Sequence, residues 1–402
     1  MMKRHLWLAV ALASVCQFTA VPTISAARAE EIKIGVLGLF SGSASWWGTE
    51  YRRGLNLWME QNKGKVGDDT LVLLERDEGG VNPQRTRQLA QELVVRDQVQ
   101  YLFGGSYTPN VLAMADVANQ TRTPLVIGNS GTSSVTLKSP YFVRTGFTQW
   151  TVSVPLVQYA ASKGVKNAAI VVADFATGYD AIDAYSETFK KAGGTISAEV
   201  KVPLGTTDFS SYLQRVRDAK PQAVFMFMPV GPMSAGFVKA FKERELDKAG
   251  IQLFATTETM ESDLPAIGDS ALGTITALHY SPFLDTPENN TFLKAYKAKY
   301  GAGALPSIAS VAAYDSMTLI AQMIKATKGK KDADKAIAAV KGYSWTSPRG
   351  PVSIDPKTRE IVQNVYIRRV ETIDGKLGNK PIETYKSVAE PWHQSHPQVA
   401  AK

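Results

Sequence analysis

The 402-residue chain is 44% hydrophobic and 20% charged, a balance that excludes disordered and fibrous classes and suits one large domain or two of ordinary size. Lys and Arg number 45 against 37 acids, but the bases are spread out rather than blocked, which argues against nucleic acid as a partner. Three of them, Lys3, Arg4 and Arg28, fall in the first 29 residues, where there is no acid, so the remainder is only mildly basic.

The N-terminus reads as an export signal. A short basic stretch ends at Arg4, the apolar run Leu6 to Ala13 is too short to span a bilayer, and Ala27-Arg28-Ala29 is an A-x-A cleavage site. Residues 1–29 are therefore expected to be removed and the protein to be periplasmic. Cys16, the single cysteine, lies inside this leader, and Val15 before it does not suit a lipoprotein signal. The mature chain then has no disulfide, thiolate nucleophile or Cys-ligated metal.

From Glu30 onward short apolar strands alternate with amphipathic helices. Ile32–Phe40 reads as a strand, Glu50–Gln61 as a helix, and Thr70–Arg76 as a strand. Asn82-Pro83 reads as N-cap and first-turn proline of a helix reaching Arg96. Further strands follow at 101–103, 124–127, 141–145, 168–173, 196–202, 223–228 and 252–254, with helices between them. This rhythm predicts α/β architecture, with parallel sheets covered by helices on both faces. One sheet of that width is improbable, so two doubly wound lobes are expected, with a seam near Gly146 to Trp150. Beyond Ala277 helices are expected at 287–300, 308–327 and 332–341, then strands at 352–354 and 365–370. From about Ala389 the chain is polar and Pro-containing and reads as a flexible tail. Its His393 and His396, flanked by Pro391 and Pro397, make a poor metal pair.

Signatures of catalysis are missing. No G-x-S-x-G elbow, H-E-x-x-H, Walker A loop or G-x-G-x-x-G is present, so the expectation is a non-enzyme without cofactor or metal. A secreted α/β hydrolase would have to depend on Asp77, Glu258 or His279. Small polar residues instead follow the strands: Gly104-Gly105-Ser106-Tyr107-Thr108-Pro109 after one and Gly128-Asn129-Ser130-Gly131-Thr132 after the next. In parallel sheets ligands bind at the carboxyl ends of strands, where helix N-termini present free N–H groups, and such loops suit a small carboxylate. The first loop adds Trp46 and Trp47, which suit a ligand platform or packing over a hinge.

Six segments in order carry a resemblance over the whole mature chain: "EIKIGVLGLFSG" with "WGTEYRRGLNLW", "RDEGGVNPQRTRQLAQELV", "FGGSYTP", "PLVIGNSGTSSVT" and "DTPENNTFLKAYKAKYG". They are similar to periplasmic substrate-binding proteins of ABC importers of the branched-chain amino-acid (leucine/isoleucine/valine) type. The resemblance implies two Rossmann-like lobes joined by a three-stranded hinge, lobe one at 30–148 plus 281–346 and lobe two at 149–280 plus 347–385, with crossings near Gly146, Tyr280 and Ser347. Residues 386–402 are left as the tail. It implies a ligand site at Trp47, Tyr107, Thr108, Asn129 and Gly131, with Ser130 or Thr132 as a hydroxyl donor. In lobe two the site falls on Phe175 to Thr177, on the loop Met228-Pro229-Val230, and on Thr257 or Glu258. Glu258 in the pocket would suit an α-amino acid; Thr257 there would favour an aromatic carboxylate, amide or urea-type solute, because an ammonium would be left unpaired. The function expected from the resemblance is capture of a small-molecule ligand, a branched-chain or other apolar amino acid, for the permease subunits in the inner membrane, with a carrier of aromatic carboxylates, amides or urea-type solutes, or a sensory receptor component, as the alternatives; the implied state is a monomer.

Overall fold

The computed structural model describes residues 30–42 and 44–397; the readings of the leader, with Cys16 and the cleavage position, concern residues outside that range. Ile32, Ile34, Val36 and Leu37 have no exposed surface, as a strand covered on both faces requires. They form β1 (Glu31–Gly38), the centre of a six-stranded sheet with β2 (Lys65–Val66), β3 (Asp69–Asp77), β4 (Tyr101–Gly104), β5 (Leu125–Ile127) and β6 (Phe142–Arg144). The order is β2-β3-β1-β4-β5-β6; β1 runs parallel to β3 and β4, and only the β2/β3 hairpin is antiparallel.

The second sheet starts with β7 (Asn167–Ala173), β8 (Thr195–Val202), β9 (Ala223–Phe227), β10 (Gln252–Ala255) and β11 (Ile275–Leu278). It is completed by β12 (Ser344–Ser347), β13 (Gly350–Ile354), β14 (Ile361–Ile373) and β15 (Lys376–Val388), in the order β12-β13-β14-β11-β10-β9-β7-β8 with β15 on β14. β7 to β11 are parallel, and β14 closes antiparallel onto β11. The helices Pro287–Tyr300, Ile308–Thr327 and Ala333–Val340 return to the first sheet and share its apolar core. The chain thus passes between the two sheets three times, near 145–149, 279–286 and 341–350.

A buried polar knot fastens the first and third of these crossings. Arg349 and Asp315 are fully buried; Arg349 donates to Asp315 Oδ2 from Nε at 2.8 Å and Nη2 at 2.6 Å, to Gln363 Oε1 at 2.7 Å and to the Thr145 carbonyl at 2.8 Å. Asp315 also accepts from Trp345 Nε1 and Ser347 Oγ, and Gln363 Nε2 donates to the Gly146 carbonyl. Side chains from lobe one, from the third crossing and from β14 therefore share one network with backbone carbonyls of the first crossing, and every charged group in it has a partner.

Two parts of the chain depart from expectation. The 13-residue strands β14 and β15 make a long hairpin where only 365–370 was predicted, and it turns at Asp374-Gly375, both at positive φ. That pair is the two-residue hairpin turn that matches strand twist. The tail from Ala389 is structured in its described part. The helix Pro391–Ser395 is capped by Glu390, whose buried Oε1 accepts from Ser133 Oγ at 2.6 Å and Thr148 Oγ1 at 2.9 Å. A carboxylate with several donors is an anchor that hydropathy alone does not reveal. His393 is buried beside Glu360, whereas His396 stacks on Trp392, and no cluster of three metal-type ligands exists among the described residues.

Candidate ligand-binding cleft

Parallel strands deliver their carboxyl ends to one side of each sheet, and the loops that follow meet between the lobes. After β4 the chain turns at Gly105, whose φ of +93° and the closeness of Val111 and Ile127 leave no room for a side chain. Ser106 and Tyr107 follow, and then the helix Thr108–Thr121. After β5, Ser130 takes a left-handed conformation with φ 67°, strained for a residue with a Cβ. Its Oγ is 3.1 Å from Thr108 Oγ1, which in turn lies 3.2 Å from Thr132 Oγ1, so a hydroxyl relay holds the two loops in register.

A cavity of about 580 Å³, its mouth included, lies where these loops face those of lobe two. Lobe one contributes Trp47, Ser106, Tyr107, Thr108, Asn129 and Gly131, and the crossing adds Phe147 and Gln149. Lobe two contributes Phe175, Thr177, Phe227, Met228, Pro229, Val230 and Thr257. None of these is a charged side chain. Trp47 on one side, and Phe175 with Phe227 (centroids 5.8 Å apart) on the other, wall the space with aromatic faces suited to a flat apolar group. The N-termini of the helices Thr108–Thr121 and Ala176–Lys191 open onto it, supplying unpaired N–H groups and positive dipole ends.

Nine of the twelve residues expected at the site line this cavity: Trp47, Tyr107, Thr108, Asn129, Gly131, Phe175, Thr177, Val230 and Thr257. Ser130 and Thr132 stand behind Thr108 as its partners. Of Thr257 and Glu258, Thr257 lines the cavity and Glu258 does not. Glu258 is fully buried on the far side of the loop, where it accepts from the Met228 N–H at 2.8 Å and the Thr256 N–H at 2.5 Å. It thereby ties together two of the loops that line the cavity. Asp77 accepts from Phe40 N and Ser41 Oγ, and His279 packs 5.2 Å from the Phe147 ring; neither lines the cavity. Four lining residues escaped sequence reasoning. Phe147 and Gln149 sit in the crossing and were read only as a seam, Phe227 ends a strand, and Ser106 is one small residue among several in its loop.

Three polar atoms at the cavity lack a protein partner: Ser106 Oγ, Asn129 Oδ1 and Gln149 Oε1. A second cleft of about 720 Å³ beyond Trp46 contains Glu50, Arg53 and Arg368, but Glu50 pairs with Arg53 and Arg368 donates to Thr276, Tyr280 and Thr256. The strand-end loops that carry unpaired groups converge on the first cavity.

Burial pushes the Glu258 carboxyl up to about 7, against the lowering effect of the Met228 and Thr256 N–H groups. The raised value means the folded state holds this proton more tightly than the unfolded chain. Its contribution is therefore full below the ordinary carboxyl range near 4.5 and is lost as pH rises toward 7. Glu258→Gln mimics the protonated acid, so the fall in melting temperature between pH 5 and pH 8 is expected to be smaller in the variant. Thermal unfolding of both proteins across that range is the check, and parallel pH profiles would show that Glu258 does not titrate there.

A family model described as periplasmic binding protein matches residues 31–376. The chain belongs to the periplasmic binding protein family. Among relatives of this binding protein, the Leu/Ile/Val-binding protein homolog 6 of Brucella melitensis is 45% identical over 384 residues, covering 95% of this chain and 98% of the relative. An ABC-transporter solute-binding protein of R. palustris, solved in complex with 4-hydroxybenzoate, is 45% identical with a TM-score of 0.86 over 90% of this chain and 98% of that one. Another, from Rhodopseudomonas palustris BisB5 in complex with 3,4-dihydroxy benzoic acid, is 39% identical with a TM-score of 0.84, covering 90% and 99%. The fold is that of type I periplasmic binding proteins, and the protein is the solute-binding component of an ABC transporter. No helix among the described residues is long and apolar enough to cross a membrane.

Proposed function

We propose that this protein captures a small aromatic carboxylate between its two lobes in the periplasm and delivers it to the permease subunits of its importer. The observation that carries the proposal is the cavity wall, in which Thr257 stands where an amino-acid carrier needs an acid, with Glu258 turned away to hold backbone N–H groups. An α-amino acid would bury its ammonium beside no carboxylate and near two positive helix ends, an uncompensated charge costing several kcal/mol. A carboxylate meets the opposite situation: the N–H groups at the start of Thr108–Thr121 and the Gly131 loop suit it, and Trp47, Phe175 and Phe227 suit an aromatic ring. The unpaired amide oxygens of Asn129 and Gln149 are neutral acceptors; they suit hydroxyl or N–H donors but supply no counter-charge. Solved relatives bound to hydroxybenzoates support the same class, whereas the curated relatives' names favour branched-chain amino acids.

Closure supplies the affinity. Lobe one alone offers one half of the wall, and bringing up Phe175, Phe227 and Thr257 removes the remaining ligand surface from water, so the liganded closed form is the one favoured for docking on the permease. Trp47 in the wall makes the test simple: after unfolding and refolding to strip carried-over solute, tryptophan fluorescence is titrated with benzoates and with leucine, isoleucine and valine. Saturable change with the benzoates alone is expected. Saturation with the amino acids alone would transfer the site to the amino-acid class.

A further inference from the structure

Gln149, the first residue of the helix Gln149–Ser162, lines the cavity and has no exposed surface. Its Nε2 donates to Ser153 Oγ at 3.1 Å and lies 3.5 Å from both Tyr185 Oη and Thr256 Oγ1. The Tyr185 hydroxyl has one proton and gives it to the Met226 carbonyl at 2.9 Å. Its oxygen is left to accept, so the Gln149 atom turned toward it is the amide nitrogen. That fixes the orientation of the amide, and Oε1 remains buried with no donor from the protein. Native proteins leave few buried acceptors in this condition, and one in a ligand cavity calls for a donor on the ligand. A carboxylate cannot answer, because a carbonyl oxygen repels it; the group that meets Gln149 has to be a neutral donor at the other end of the molecule.

We propose that Gln149 Oε1 accepts a hydrogen bond from a ring hydroxyl, making the protein selective for hydroxylated over bare aromatic carboxylates. This rests on the aromatic-carboxylate reading of the cavity and adds the residue that sets specificity within that class. A site built around such a bond discriminates against an analogue lacking the hydroxyl, because the carbonyl is then left unpaired in a dry pocket.

The test is a set of affinity ratios. Dissociation constants of 3- and 4-hydroxybenzoate are measured against their fluoro counterparts, which have nearly the same shape and no donor. In the wild-type protein at least one hydroxy isomer is expected to bind about tenfold more tightly than its fluoro analogue. In Gln149→Met, which keeps length and loses the carbonyl, that ratio is expected to fall below about two, whatever the affinity of either ligand alone. Gln149→Asn, which withdraws the amide by one methylene, serves the same comparison if the methionine variant does not fold. Ratios near one in the wild type, or a tenfold ratio that survives both substitutions, would overturn the assignment of Gln149 while leaving the ligand class intact. Failure of all four benzoates to bind refolded wild-type protein would instead remove the aromatic-carboxylate reading and this inference with it.

Discussion

Gly131→Leu is expected to weaken ligand binding at least a hundredfold, about 2.7 kcal/mol, while the ligand-free protein melts within about two degrees of wild type. Gly131 faces the opposite lobe: a Cβ built on it would lie 3.1 Å from Thr177 Cγ2, and 3.7 Å from the Gln149 backbone nitrogen, whose N–H donates to the Gly131 carbonyl. A single methyl needs the neighbour to yield by a few tenths of an ångström. A leucine cannot be accommodated with the lobes at this distance, so they have to stand further apart. The cost falls on binding rather than folding, because the residue belongs to the cleft surface and to none of the three apolar clusters. Ligand titration and small-angle scattering of the same samples check this together. Wild-type affinity with wild-type compaction would mean that the ligand does not sit between these loops.

The second large effect concerns the crossings. Asp315→Ala removes the carboxylate that faces Arg349, leaving a guanidinium with no exposed surface and no counter-charge, and it also strands Trp345 Nε1 and Ser347 Oγ. Breaking one side of a buried pair in this way costs about 3–5 kcal/mol, a fall of roughly 5 °C in melting temperature for a chain of this size unfolding as one unit. Replacement of both partners by apolar residues should cost far less, since no charge is then left behind. Denaturant unfolding of Asp315→Ala, Arg349→Met and the double variant measures the coupling. A loss below about 1 kcal/mol in Asp315→Ala would show that the knot contributes little to holding the crossings.

Much of this was legible in sequence because it depends on periodicity and on chain punctuation. Parallel strands announce themselves as short apolar runs, and Asn82-Pro83 marks a helix start by chemistry that acts within four residues: Asn82 Oδ1 accepts from the Arg85 N–H. Most residues of lobe one that line the cavity were legible for the same reason, since a strand end followed by glycines and hydroxyls is a local signal. What the sequence left open depends on tertiary direction. Whether Thr257 or Glu258 lines the cavity turns on the course of the bend that follows β10 and on the presence of the Met228 and Thr256 N–H groups behind it. Gln149 stayed hidden because its role comes from Tyr185 and Thr256, which are remote in sequence. The C-terminal segment gave the opposite error, where polar composition suggested a loose tail although Glu390 is fastened by Ser133 and Thr148.

The central claim is that the cleft accepts a carboxylate on an apolar frame and has no counter-charge for an ammonium. Calorimetric titration of the refolded mature protein with matched pairs tests it most directly: 3-phenylpropionate against L-phenylalanine, and 4-methylpentanoate against L-leucine, each pair differing by the ammonium group alone. The account predicts that the deaminated member binds more tightly in each pair, by a factor of at least about a hundred where both are measurable, because an unpaired buried ammonium costs several kcal/mol. Tighter binding of the amino acids would contradict it, and would mean that an acid, with Glu258 the nearest candidate, turns into the cleft when the ligand arrives.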